Sequence, residues 1–202
     1  MHTASLFDGL EETYTLTFSP QQIIPDIPGL AYYADFVSSD EERELLEAAN
    51  GEAWSTHWKR RTQYYGQRYG VTVDEGTYRE IPLWSRVVME RLVSTSILAG
   101  LPTQMGVNEY LPGQGIAPHV DHESGTVISL SLGSGCIMDF REIETGAANS
   151  MWLAARSIMV MNGVSRYAWM HGIAPRQRDV VDGRSIHRGT RVSLTFRNVP
   201  TR

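Results

Sequence analysis

From Met105 onward, short runs rich in Val, Ile, Leu, Tyr and Trp alternate with Gly, Pro, Asn and Ser. The pattern predicts strands near 105–111, 116–122, 126–132, 135–140, 151–154, 157–161, 166–172 and 190–198. So many short strands at this spacing belong to a mostly β protein, a sandwich or jelly roll. Earlier in the chain the period lengthens. Ser39-Asp40-Glu41-Glu42 has the form of a capping box with Ser39 as N-cap, opening a helix that carries Leu45 and Leu46 and stops at Asn50-Gly51. A second helix starts at Pro82 and runs through Leu83, Val87 and Leu92 to about Ser96. These two flanking helices would cover one sheet. Residues 173–189, rich in Arg and carrying Asp182-Gly183, suggest a mobile loop that could serve as a substrate lid.

Strand periodicity turns this outline into chemistry, because alternate side chains share a face. In Ile116-Ala117-Pro118-His119-Val120-Asp121, His119 and Asp121 look the same way, and Glu123 extends that face. His171 follows Tyr167-Ala168-Trp169-Met170 some fifty residues later. Two histidines and a carboxylate with open coordination positions suit non-haem Fe(II). Arg191-Val192-Ser193-Leu194-Thr195-Phe196-Arg197 puts Arg191 and Arg197 on one face with Ser193 and Thr195, and three apolar residues on the other. Either the arginines are exposed on an edge strand or the polar face lies inside. An unpaired buried guanidinium costs several kcal/mol, so an interior placement predicts a bound anion, and a carboxylate matches it bidentately. Asn108 and Tyr110 also share a face and offer an amide and a phenol. The remaining histidines, His2, His57, His122 and His187, sit in surroundings that suit solvated or satisfied imidazoles.

The chain has 202 residues, which is enough for one domain preceded by a short extension. Residues 1–24 form an acidic N-terminal extension, and 25–202 form the domain. No apolar run is long enough for a membrane span, and no signal peptide is visible. Cys136 is the only cysteine, which excludes an internal disulfide and a thiolate zinc cage and fits a cytoplasmic protein, expected to be a monomer. The net charge of −5 conceals an asymmetry. Residues 1–56 hold eleven acids and one base, whereas 57–202 hold seventeen bases and twelve acids, with Lys59 the sole lysine. Arginine suits bidentate phosphate contacts and stacking.

Asn108-x-Tyr110-Leu111-Pro112-Gly113, His119-x-Asp121, Ser165-Arg166 with His171-Gly172-Ile173, and Arg191-x-Ser-Leu-Thr-Phe-Arg197 together resemble the AlkB family of Fe(II)- and 2-oxoglutarate-dependent dioxygenases. The resemblance covers roughly residue 27 to the end. It implies a double-stranded β-helix, with His119, Asp121 and His171 ligating iron. Arg191 would pair with the distal carboxylate of 2-oxoglutarate, and Asn108, Tyr110 and Arg197 would complete that pocket. It also implies consumption of O2 and 2-oxoglutarate, and hydroxylation of a C–H bond beside nitrogen. The products would be succinate, CO2, formaldehyde and the unmethylated amine.

For the substrate, Trp58-Lys59-Arg60-Arg61-Thr62-Gln63-Tyr64-Tyr65-Gly66-Gln67-Arg68-Tyr69 mixes bases with aromatics. It is either a hairpin packed on the sheet or a lid, in which Tyr65 and Tyr69 stack on a flipped base while Arg61 holds phosphate. The Arg61-to-Tyr65 spacing and Glu123 after His-x-Asp resemble the nucleic-acid demethylases of the family. Methylated DNA or RNA is therefore the expected partner. Hydroxylation of a protein or small molecule, and a non-catalytic metal- or anion-binding jelly roll, stand as alternatives.

Overall fold

The computed structural model describes residues 26–67, 79–121 and 125–199. Their elements run β1 Leu30–Tyr33, α1 Ser39–Gly51, β2 Thr62–Gly66, a 3-10 turn Leu83–Ser85 leading into α2 Arg86–Ser94, β3 Gln104–Tyr110 and β4 Ile116–His119. They continue with β5 Val127–Gly133, β6 Cys136–Glu142, β7 Ala148–Leu153, β8 Ser157–Met161, α3 Gly163–Tyr167, β9 Trp169–Ile173, β10 Arg178–Val181, β11 Arg184–His187 and β12 Arg191–Arg197.

A six-stranded antiparallel sheet has the order β1-β8-β5-β12-β3-β2, and a four-stranded sheet the order β4-β9-β6-β7. This is the jelly roll expected of the resemblance. The alternation along β12 decides how the layers meet. Val192, Leu194 and Phe196 join Ile128, Leu130, Leu132, Ile158, Val160, Met105 and Val107 in a core beneath α1 and α2. Arg191, Ser193, Thr195 and Arg197 face the other way, into the space between the sheets. There Tyr110, Met138, Phe140, Met151, Met159, Met161, Trp169 and Ile173 form a second apolar cluster. Cys136 is a buried member of that cluster.

Polar ties fix the helices. Ser38 is the N-cap of α1, one residue earlier than the sequence pattern suggests: its Oγ accepts from Glu41 N at 3.2 Å, and its own N–H donates to the Glu41 carboxylate at 2.8 Å. Buried Arg91 of α2 pairs with the same Glu41 and donates to Phe36 O at 2.7 Å. One residue therefore caps α1 and anchors α2.

Four other expectations change. The strand placed at 116–122 ends at His119. The segment 166–172 opens as α3, because Asn162 caps a short helical turn, and becomes strand only at Trp169. β1 is a strand that the pattern does not predict, and β2 pairs with β3 as the sheet-packed alternative for 58–69 requires. Residues 173–189 contain a β-hairpin rather than a mobile loop. Asp182 and Gly183, with φ of 49° and 74°, form its two-residue turn, a geometry that suits the hairpin twist. The hairpin is pinned by Asp179, which is buried. Its carboxylate takes Arg188 Nε and Nη2 at 2.5 and 2.7 Å and Ile137 N at 3.2 Å. No helix among the described residues is long and apolar enough to cross a membrane. The 1–24 extension lies outside the described residues.

Candidate metal and co-substrate site

His119 ends β4, and His171 stands opposite it on β9 in the register of the smaller sheet. Their ring centroids are 4.4 Å apart. Asp121 follows β4 by two residues, with its Oδ2 3.6 Å from His171 Nε2. One ligand atom from each of the three lies within 4.8 Å of the others. The side chains are already committed to this geometry. His119 Nδ1 is 2.9 Å from Ala117 O, and a carbonyl only accepts, so Nδ1 carries the proton and Nε2 presents a lone pair. Arg197 Nη2 donates to Asp121 Oδ1 at 2.7 Å, leaving Oδ2 as the oxygen that faces the imidazoles. Two imidazoles and a single carboxylate oxygen, with open sides, suit a ferrous ion.

The electrostatics keep both groups ready to ligate. Burial raises the Asp121 pKa, but Arg197 and His171 outweigh it and bring it down to about 2. Burial lowers the His171 pKa to about 4 against the opposing pull of Asp121. Both groups are therefore in their metal-binding forms at neutral pH. A stability consequence follows for the metal-free protein. Between the ordinary imidazole value of 6.5 and about 4, the unfolded chain takes up a proton at His171 that the folded chain refuses. Stability contributed by His171 is complete above that window and is lost as pH falls through it. Chemical denaturation midpoints measured from pH 7 to 4 should fall, with a shallower slope in a His171→Gln variant. Equal slopes would place the pH response elsewhere.

A cavity open to solvent lies beside the triad. Its walls include His119, Asp121 and His171, the β12 residues Arg191, Ser193, Thr195 and Arg197, Asn108 and Tyr110 from β3, and three methionines. Arg191 is 3% exposed. Its Nη2 donates to Ser131 Oγ at 2.8 Å, it lies 5.4 Å from the Tyr110 ring centroid, and it has no ion pair among the described residues. Its Nε has no hydrogen-bond partner. A buried, incompletely satisfied guanidinium facing a cavity is the complement of a carboxylate. The residues present therefore fit both the metal and the diacid.

The sequence-derived candidates divide. His119, Asp121, His171, Asn108, Tyr110, Arg191 and Arg197 line one cavity. Arg197 differs in role, because its guanidinium sits on Asp121 rather than being free for the diacid. Arg61 and Tyr65 are corrected. Glu109 faces the helix side of β3, and Arg61 grips it with two bonds of 2.5 and 2.7 Å and lies over Trp54. Tyr65 is 3% exposed in the helix-side core, with its hydroxyl on Gln63. Neither side chain stands on the cavity face. Tyr69 and Glu123 lie outside the described residues.

The pairing of β2 with β3 sets Thr62 opposite Asn108 and Tyr64 opposite Gly106, so Tyr64 takes the cavity face. A side chain at Gly106 would meet Tyr64 Cε1 at 3.7 Å and Arg197 Nη1 at 3.8 Å. Arg60 reaches the same region, donating from Nε to Asn108 Oδ1 at 3.1 Å. Arg166, almost wholly buried, adds a positive charge near Asp121, and burial depresses its pKa. Sequence reasoning missed Arg60, Tyr64 and Ser131. Period-two reading of Ser129-Leu130-Ser131 would have found the serine; the other two need the β2–β3 register.

Comparison with known proteins shows the family. The model for the 2OG-Fe(II) oxygenase superfamily matches residues 47–197. The uncharacterized protein L905 of Acanthamoeba polyphaga mimivirus is 34% identical over 181 residues, covering 86% of each chain. The probable RNA/DNA demethylase ALKBH6 of Danio rerio is 29% identical, with 88% of this chain and 89% of that protein covered. The tRNA (carboxymethyluridine(34)-5-O)-methyltransferase alkbh8 of Xenopus tropicalis is 32% identical over 93% of this chain, which spans only 35% of that protein. The solved structure of OsALKBH1 shares the fold, with a TM-score of 0.65 and 19% identity over 85% of this chain and 98% of that one. The chain belongs to the 2OG-Fe(II) oxygenase superfamily, as an AlkB-type member. It is a dioxygenase that uses Fe(II), 2-oxoglutarate and O2.

Proposed function

We propose that this enzyme oxidatively demethylates N-alkylated nucleobases in DNA or RNA, releasing formaldehyde and succinate. The observation that carries the chemistry is the His119–Asp121–His171 triad opening on the same cavity as Arg191, whose buried Nε lacks a partner. His119, Asp121 and His171 would hold the iron, which, once loaded with 2-oxoglutarate and O2, supplies the oxidation of a C–H bond. The protein's own part is placement. The Ala117 carbonyl and Arg197 orient two of the ligands, Arg191, held by Ser131, receives the distal carboxylate, and the apolar wall of Met138, Met159 and Met161 keeps water from the reacting atoms.

The nucleobase reading draws support from two directions. The Danio rerio relative carries RNA/DNA demethylase in its name over nearly the whole length of both chains. On the cavity face, Tyr64 offers a half-buried ring beside Arg197, and base–aromatic stacking is worth about 1–3 kcal/mol. We assign Glu123 and Tyr69 as further base-contacting residues, the carboxylate as acceptor for an exocyclic amine.

The test is anaerobic reconstitution with Fe(II) and 2-oxoglutarate. Oxygen is then admitted in the presence of DNA and RNA oligonucleotides carrying N-methylated adenine or cytosine. Formaldehyde should accumulate, and the oligonucleotide should lose its methyl group by mass. Succinate release stimulated by a methylated peptide, with every oligonucleotide unchanged, would contradict the proposal.

A further inference from the structure

Asn108 lines the cavity, but one side of its amide is already engaged. Arg60 Nε donates to Asn108 Oδ1 at 3.1 Å, and the Arg60 guanidinium lies 5.7 Å from the centroid of the Tyr110 ring. A guanidinium has donors only, so the amide atom facing Arg60 is the oxygen. The other amide atom, the NH2 group, is then the one turned from Arg60 and available to the cavity. The backbone around Arg60 is tied on both sides: Lys59 O accepts from Gln114 Nε2 at 2.8 Å, and Arg61 O accepts from Glu109 N at 3.0 Å. Gln114 is itself held by Leu111 N at 2.9 Å. Arg60 is not part of the cavity wall.

We propose that Arg60 is a positioning residue: it fixes the amide of Asn108 so that Asn108 acts as a donor to 2-oxoglutarate. An unfixed amide could rotate by half a turn and present its oxygen to a carboxylate, an arrangement that repels. The inference rests on the reading that Asn108 belongs to the co-substrate pocket, and the test separates the two.

Dissociation constants for 2-oxoglutarate are measured by calorimetry on the Mn(II)-loaded protein without oxygen, for Asn108→Ala, Arg60→Ala, Arg60→Met, Arg60→Lys and the Arg60→Ala/Asn108→Ala double variant. Arg60→Met keeps an unbranched apolar stem and removes the donors and the charge, whereas Arg60→Lys keeps the charge. Asn108→Ala, Arg60→Ala and Arg60→Met should each weaken binding about tenfold, equivalent to about 1.4 kcal/mol. Arg60→Lys should recover part of the loss. The double variant should bind no more weakly than Asn108→Ala alone, because two residues acting through one contact are not additive. Multiplying losses in the double variant, or tight binding in Arg60→Met, would overturn the positioning role while leaving Asn108 in the pocket. Unchanged binding in Asn108→Ala would remove Asn108 from the pocket and the inference with it.

Discussion

Replacing His171 by Ala lowers turnover by a hundredfold or more and weakens metal binding, while the protein stays folded. Residues that merely support a metal ligand cost roughly 10–100-fold when removed, and His171 is itself one of three donor groups within 4.8 Å. The substitution also relieves the desolvation of a buried imidazole whose pKa is driven down to about 4. The metal-free variant should therefore lose the fall in stability that the native protein shows between pH 6.5 and about 4. The check pairs a metal-binding isotherm with single-turnover succinate production. Full activity in His171→Ala would remove it from the ligand set.

Replacing Arg191 by Ala acts on the co-substrate instead. Truncating one partner of a buried, hydrogen-bonded charge pair costs about 2–5 kcal/mol, so the concentration of 2-oxoglutarate required should rise from roughly thirtyfold to several-thousandfold. Metal affinity should hold, because the cation beside Asp121 is Arg197, at 2.7 Å. In contrast, Arg197→Ala removes the donor that holds Asp121 Oδ1 and should weaken metal binding. An unchanged 2-oxoglutarate requirement in Arg191→Ala would place the diacid elsewhere. These two arginines are six positions apart on one face of one strand, yet they meet different partners, Ser131 and Asp121.

That split marks the limit of what the sequence made legible. Period-two alternation correctly put Arg191, Ser193, Thr195 and Arg197 on one face, because β12 is regular over its whole length. It also brought His119 and Asp121 together, although Asp121 lies beyond the end of β4. Alternation says which residues share a face, but not which partner each meets across the cavity, and so Arg197 was grouped with Arg191. The β2 segment failed for a related reason. Arg60, Arg61, Tyr64 and Tyr65 are two adjacent pairs of similar residues, and only the register Thr62↔Asn108 decides which member of each pair turns inward. A one-residue slip exchanges the faces, and nothing local sets that register. The hairpin at 178–187 is a different kind of miss. Val-Val-Asp182-Gly183 is a recognisable two-residue turn between β-prone residues, but the density of arginine in the segment obscured it. Arg188 is charged for a structural purpose, since it neutralises buried Asp179.

The most direct measurement is a crystal structure of the protein grown without oxygen with Mn(II) and 2-oxoglutarate, with the ion located by its anomalous scattering. The ion should lie between His119 Nε2, Asp121 Oδ2 and an imidazole nitrogen of His171, and the far carboxylate of the diacid should rest on Arg191. An ion bound away from these three residues, or a diacid that leaves Arg191 untouched, would contradict it.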